Sequence, residues 1–256
     1  MQSILQELYV HGMLYLVMIF LTFVNIIVPV SGSSTQTPLL AIITGDAHYA
    51  ITVSTWLLMI SCAIISFVFR KDRRYDYVWR MLPATILFAV LGALFLVQLP
   101  DLLVSLLLLV AATHFLIKTL RHLEKKEEKK ALSIHVLSIV GAASSFLQGM
   151  GLPGGAIRAG YLYAEGLSIE EVRGTAEFLT FASFAAANIV RFHENQLSVP
   201  DMIHWTIIFA PLLLLATYLG RHLLIRLPDR VKDGIILVTM ILVVVGLIIR
   251  IAHLAL

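Results

Sequence analysis

The chain has 256 residues, of which 59 % are hydrophobic and only 14 % charged, and its mean hydropathy is +0.90. A water-soluble domain carries about a quarter charged and about half apolar residues, so the ordinary soluble class is excluded and lipid is the expected solvent. The formal charge of +3 does not point to nucleic acid, because the cations cluster in short segments between apolar runs. The single cysteine, Cys62, excludes an internal disulfide and a multi-cysteine metal site.

A bilayer core about 30 Å thick needs about 20 apolar residues per helix. In chain order such runs lie near 8–30, 47–69, 76–98, 101–120, 132–149, 168–192, 201–225 and 231–253. No Lys or Arg precedes Arg70, so the first run lacks the basic region of a secretory signal and is expected to be a permanent span. Two further runs, 37–45 and 156–165, are too short to cross alone. Each follows a break rich in small residues, Ser31-Gly32-Ser33-Ser34-Thr35 before the first and Gly149 to Gly155 before the second. At about 1.5 Å per residue these runs cover about half the bilayer, and both read as arms of broken, hairpin-like helices. Backbone leaves helical geometry at that depth only where protein or a watery cavity satisfies it.

The cations set the orientation. Segment 70–80 holds Arg70, Lys71, Arg73, Arg74 and Arg80; segment 118–130 holds Lys118, Arg121, Lys125, Lys126, Lys129 and Lys130; segment 221–232 holds Arg221, Arg226, Arg230 and Lys232. With Arg173 these take most of the 19 Lys and Arg residues, which places the three segments in the cytoplasm. Arg191 and Arg250 fall outside this set, and Arg158 lies within the membrane. The first hairpin then opens from the outer face, the second from the inner face, and both termini lie outside.

Internal similarity points the same way. Leu91-Gly92 and Leu99-Pro100-Asp101 recur 128 residues later as Leu219-Gly220 and Leu227-Pro228-Asp229. Gly32-Ser33 and Leu40 recur 122 residues later as Gly154-Gly155 and Leu162. The first Leu-Pro-Asp turn has no nearby cation and the second is flanked by Arg226 and Arg230, so the two lie on opposite faces. The expected fold is an all-α polytopic membrane protein of two inverted-topology repeats, each a broken-helix hairpin plus three transmembrane helices. Residues 1–120 form the first repeat, 121–131 a charged cytoplasmic linker and 132–256 the second repeat. That architecture recurs in secondary transporters, with the site near the midplane between repeats.

The glycine-rich breaks carry a family resemblance. Gly149-Met150-Gly151-Leu152-Pro153-Gly154-Gly155, then Arg173-Gly174-Thr175-Ala176, is similar to the repeated glycine-cluster motif of the sulfite exporter TauE/SafE family; Ser31-Gly32-Ser33, Pro38 and Thr52-Val53-Ser54 form the first-half counterpart. The resemblance covers nearly the whole chain. The first cluster departs in keeping one glycine, and Gly160 stands where a second Pro is usual. What the resemblance implies is export of small sulfur-containing anions, sulfite or organosulfonates, across the bacterial inner membrane.

The residues themselves support an anion site. A helix that starts in mid-membrane leaves amide N–H groups unpaired and carries partial positive charge, and two such starts facing each other make a site of backbone donors. Ser33, Ser34, Thr35, Gln36 and Thr37 add side-chain donors at the first break, while Gly154 and Gly155 let a ligand approach the backbone at the second. Close helix packing is the competing explanation for the small residues. Arg158, far from any charged loop, offers a planar fork of donors for an oxyanion; the alternatives are snorkelling to the inner interface or an ion pair with Glu165 or Glu177. Glu177 is a candidate proton-coupling group, or else the (i, i+4) partner of Arg173. Asn25, Gln148 and Asn188 are buried-polar candidates.

Other signals are weaker. His48, His114, His135 and His204 lack metal-ligand spacing, so no metal and no other cofactor is expected. Trp56, Trp79 and Trp205 pack or mark interfaces. Met150 to Gly155 lacks the Lys of a phosphate-binding loop. The expected partners are a small anionic substrate, the bilayer and protons as coupling ion, with no nucleic acid. The expected function is export by alternating access; uptake, or movement of another small metabolite, is the alternative. An intramembrane enzyme around Thr44-Gly45-Asp46 is a remote one, because a second intramembrane Asp is missing.

Overall fold

The computed structural model describes residues 36–122, 134–194, 196, 200, 202–203, 206–207, 209–215, 219 and 229–255. Among these residues every regular element is helical: α1 (Gln36–Thr44), α2 (Ala47–Val68), α3 (Tyr75–Val97), α4 (Asp101–His122), α5 (Ile134–Gly149), α6 (Gly154–Ala164), α7 (Ile169–His193) and α8 (Asp229–Ala255), with further helical residues within 202–215. The bounds of these helices agree with the expected apolar runs and both short arms to within about three residues at their described ends. The run 8–30, Ser33, Ser34, Thr35, most of the linker 121–131 and parts of 201–225 lie outside the described residues. Helices α2 and α3 are long and apolar enough to cross a membrane.

Local chemistry sets the helix ends. Each short arm stops at a glycine with positive φ, Gly45 at +72° after α1 and Gly166 at +87° after α6, a backbone region other residues enter at a cost. The helix after each arm starts on a side-chain cap. Asp46 accepts from the Tyr49 N–H at 2.9 Å at the start of α2. Ser168 and Glu171 form a reciprocal capping box at the start of α7. Between α5 and α6 the chain turns through Gly151, φ +76°, and Pro153, which lacks the N–H that a helix start leaves unpaired anyway.

Packing is inverted relative to a soluble protein. Large apolar side chains face outward, among them Phe67, Trp79, Val110, Ile139 and Ile189, the last 71 % exposed. The buried set is rich in small and polar residues: Ala41, Ala47, Ala50, Ser54, Ala89, Ala93, Ser105, Ser144, Ser145 and Ala187. Lipid does not drive helices together, so close backbone contact must do more of that work. At the α3–α5 crossing, a Cβ on Gly92 would lie 2.1 Å from the Phe146 carbonyl oxygen, and one on Gly149 would lie 2.2 Å from that of Ala89. The pairs α2–α7, α3–α7, α4–α8, α1–α2, α5–α6 and α6–α7 pack around this crossing.

Each end of the bundle is tied by polar contacts. At one end Asp101 accepts from the Ala47 N–H at 2.8 Å and pairs with Arg250 at 2.7 Å, while Arg250 also donates to the Gly45 carbonyl at 3.1 Å. At the other, Arg73 donates to the Gly174 carbonyl at 3.2 Å, the Arg74 N–H donates to Thr175 Oγ1 at 3.0 Å, and the Arg74 side chain pairs with Glu171 at 3.3 Å. The turns that share an end are those that charge had assigned to a common face. Replacing Gly92 by Leu is expected to push α3 off α5 and lower stability by about 1–3 kcal/mol. The thermal unfolding midpoint in detergent checks this, with Gly234→Ala, where nothing lies within 4 Å of the added Cβ, expected not to fall below the parent.

Candidate functional site

The centre of the fold is a buried polar seam between α5 and α7. Ser145, Gln148 and Gly149 lie on one face of α5 by their three- and four-residue spacings, and Thr180, Ser183, Asn188 and Arg191 share a broader face of α7, at spacings of three, five and three. Arg158 enters from α6 and Thr55 closes the far end from α2. All of these side chains are buried.

Arg158 is 0 % exposed. Its Nη1 donates to Thr180 Oγ1 at 3.2 Å, and its Nη2 donates to Ser145 Oγ at 2.6 Å and Ser183 Oγ at 3.4 Å. Its Nε has no hydrogen-bond partner among the described residues. Among the described residues no carboxylate forms an ion pair with it; Glu177 acts on it only at longer range. Of the sequence alternatives, snorkelling is therefore absent, and neither Glu165 nor Glu177 neutralises the guanidinium at contact. A charge buried without a counter-ion costs several kcal/mol, and three hydroxyl groups offset only part of that through their dipoles.

Glu177, half-buried on α7, lies against the Cys62 thiol and within electrostatic range of Arg173 and Arg158. It makes no ion pair with Arg173. Gln36 is buried at the first residue of α1, and the next residue, Thr37, shares a hydrogen bond of 2.7 Å with Ser54 Oγ. Gly154 is also buried, but its surroundings are those of a packing glycine: a Cβ there would sit 1.8 Å from the Ser144 carbonyl oxygen. The space beside it is filled by α5, which is the competing explanation from the sequence. Gly155 is half-buried in the first turn of α6.

The start of α1 and the second break converge on a single turn of α2. Ser54 meets the start of α1 through Thr37. Three residues earlier, Ile51 packs on the second break, where a Cβ on Gly151 would lie 2.5 Å from Ile51 Cγ2. Leu40 from the first arm and Met150 and Leu152 from the second break share one apolar cluster with Ile51 and Val53.

Five polar residues of the seam escaped the sequence reading: Thr55, Ser145, Thr180, Ser183 and Arg191. Arg191 counted there only as a cation outside the cytoplasmic segments, yet it is 0 % exposed. The signal that would have found it is the recurrence of Thr180, Ser183, Asn188 and Arg191 on one face of an otherwise apolar helix. A separate lateral cavity of about 680 Å³ opens between α2, α7 and 202–207, apolar except for Asn188 and Thr206. Among the described residues no cluster of His, Cys, Asp or Glu could hold a metal ion.

Among the described residues the protein is all-helical with large apolar side chains on its exterior, the build of a membrane protein. The sulfite exporter TauE/SafE family model matches residues 14–247, and the chain belongs to this family of membrane transporters. No curated protein and no solved structure gives a significant match.

Thr180 accepts from both Arg158 and Gln148, the latter at 3.1 Å. Thr180→Val keeps the shape and removes the acceptor, leaving two buried donors unpaired. The expected loss is about 1–3 kcal/mol, read as a lower unfolding midpoint in detergent without change in helical circular dichroism at low temperature.

Proposed function

We propose that the chain is a secondary transporter that exports a small sulfur oxyanion or organosulfonate across the inner membrane by alternating access. The observation that carries this reading is Arg158, fully buried and held by three hydroxyl groups with no carboxylate ion pair among the described residues. A planar guanidinium with an open Nε–H offers directional donors to a tetrahedral or pyramidal oxyanion. Binding such an anion would supply the compensation that the fold leaves out. The start of α6 and, across α2, the start of α1 with Ser33, Ser34, Thr35 and Gln36 complete the proposed site, in which Gly155 leaves backbone accessible and Gly154 sets the hairpin. Glu177 is the proposed coupling group, close enough to Arg158 for its proton and the bound anion to influence one another.

The proposed scaffold is two inverted repeats, 1–120 and 132–256, joined by the cytoplasmic linker. Equivalent positions support it. The helix caps Asp46 and Ser168 stand 122 residues apart, as do Leu40 and Leu162, and Gln36 and Arg158. A twofold relation also pairs like with like, and α2 packs on α7 and α4 on α8. Alternating access then has one repeat rock against the other about the breaks.

Flux in proteoliposomes tests the reading, with sulfite, sulfoacetate, sulfate and thiosulfate as solutes. Saturable flux of at least one sulfur oxyanion is expected. Arg158→Gln is expected to lower it by about a hundredfold and Arg158→Lys by less, since an ammonium keeps the charge but not the fork. Undiminished flux in Arg158→Gln would remove the proposed site.

A further inference from the structure

Arg191 stands near the C-terminal end of α7, and its surroundings exceed what helix capping requires. Its Nη1 donates to Thr55 Oγ1 and to Asn188 Oδ1, each at 3.1 Å, and its Nη2 donates to the Gly149 carbonyl oxygen at the end of α5. Among the described residues its Nε has no hydrogen-bond partner and no carboxylate forms an ion pair with it. Capping α5 uses one N–H of five and needs no charge. A neutral amide would satisfy the Gly149 carbonyl without the desolvation cost of a buried cation. What only a guanidinium adds is the edge on which the Nε and Nη2 hydrogens lie side by side, the edge that grips two oxygens of an oxyanion. In Arg191 one nitrogen of that edge, Nη2, donates to the Gly149 carbonyl, and the other, Nε, is the unpartnered donor among the described residues.

We propose that Arg191 is a second anion station, and that the transported solute passes between Arg158 and Arg191 along the seam. This rests on the anion reading of Arg158 and extends it to a residue on the other side of the second break. Arg158 contacts α5 at Ser145 and Arg191 contacts it at Gly149, one helical turn apart, about 5–6 Å along the axis. The α7 face between them presents Ser183 and Asn188, so an oxyanion leaving one guanidinium meets hydroxyl and amide donors before the next. Two stations of shared affinity allow entry without a trap too deep for exit, the requirement that multi-site pores also meet. The start of α1 lies beside this path in sequence along α2, since Thr37 bonds Ser54 and the next residue, Thr55, bonds Arg191.

The test uses the full-length chain, inorganic sulfite as probe, and two variants. Arg191→Gln keeps a donor for the Gly149 carbonyl and removes the charge; Arg191→Lys keeps the charge and removes the fork. Equilibrium sulfite binding and the unfolding midpoint are measured in detergent, and sulfite flux in proteoliposomes is normalised to folded protein. Expected are a maximal flux about tenfold or more below the parent in Arg191→Gln and an intermediate loss in Arg191→Lys. Sulfite binding in Arg191→Lys, where Arg158 is intact, should change by less than about threefold, with its midpoint unmoved. If Arg191→Gln does not fold, the reduced flux of Arg191→Lys at an unmoved midpoint carries the test. Parent-level flux in either folded variant, alongside lost flux in Arg158→Gln, overturns the second station and leaves the first standing. Absence of sulfite binding and flux in the parent overturns both.

Discussion

A cation taken out of water must be compensated, and among the described residues two buried guanidinium groups make contact only with neutral dipoles, Glu177 acting on Arg158 from longer range. Arg158 rests on Ser145, Thr180 and Ser183, and Arg191 on Thr55, Asn188 and the last carbonyl of α5. Such dipoles orient a guanidinium but do not neutralise it. Neither guanidinium meets a carboxylate at contact among the described residues, and low dielectric strengthens charge interactions there. Evolution toward stability alone would replace these arginines or pair them.

Holding that seam together is a matter of distance. The α3–α5 crossing at Gly92 and Gly149 and the α5–α6 contact at Gly154 bring backbones closer than any side chain allows. These contacts fix where α5 ends, and with it the carbonyl that Arg191 reaches. The arms are fixed by punctuation: a left-handed glycine stops each one, and a side-chain cap at Asp46 or Ser168 starts the helix that follows. At the bundle ends, Asp101 with Arg250 and the Arg73–Arg74 turn with Gly174–Thr175 bind turns to neighbouring helices. Rigid-body motion about the breaks would load these ties first.

Much of this was legible in the chain. Hydropathy located α2 to α8 because lipid-facing helices need long apolar runs, and the short arms were visible because runs of about ten residues beside glycine or serine clusters cannot span. Arg158 stood out because a cation far from any loop has few places to go. Other features were harder to read. Ser145, Thr180 and Ser183 are ordinary in membrane helices, and only three-dimensional proximity to Arg158 distinguishes them. Gly154 looked like open backbone at a ligand and proved to be a contact with Ser144, since sequence marks a small residue without saying which neighbour needs the room. Arg191 sits near a helix end, where a cation usually reaches water. Its burial depends on the crossing of α7 with α2 and on α5 ending beside it.

Selenite shares the shape and charge of sulfite and scatters anomalously, so it reports directly on where an oxyanion rests. Crystals of the protein grown with selenite, measured at the selenium absorption edge, test whether the seam is an anion path. The account predicts an anomalous peak between α5 and α7 at hydrogen-bond distance from the Arg158 guanidinium. Selenium confined to the exposed cationic turns, with Arg158 still bound only to its three hydroxyl partners at saturating selenite, would contradict it.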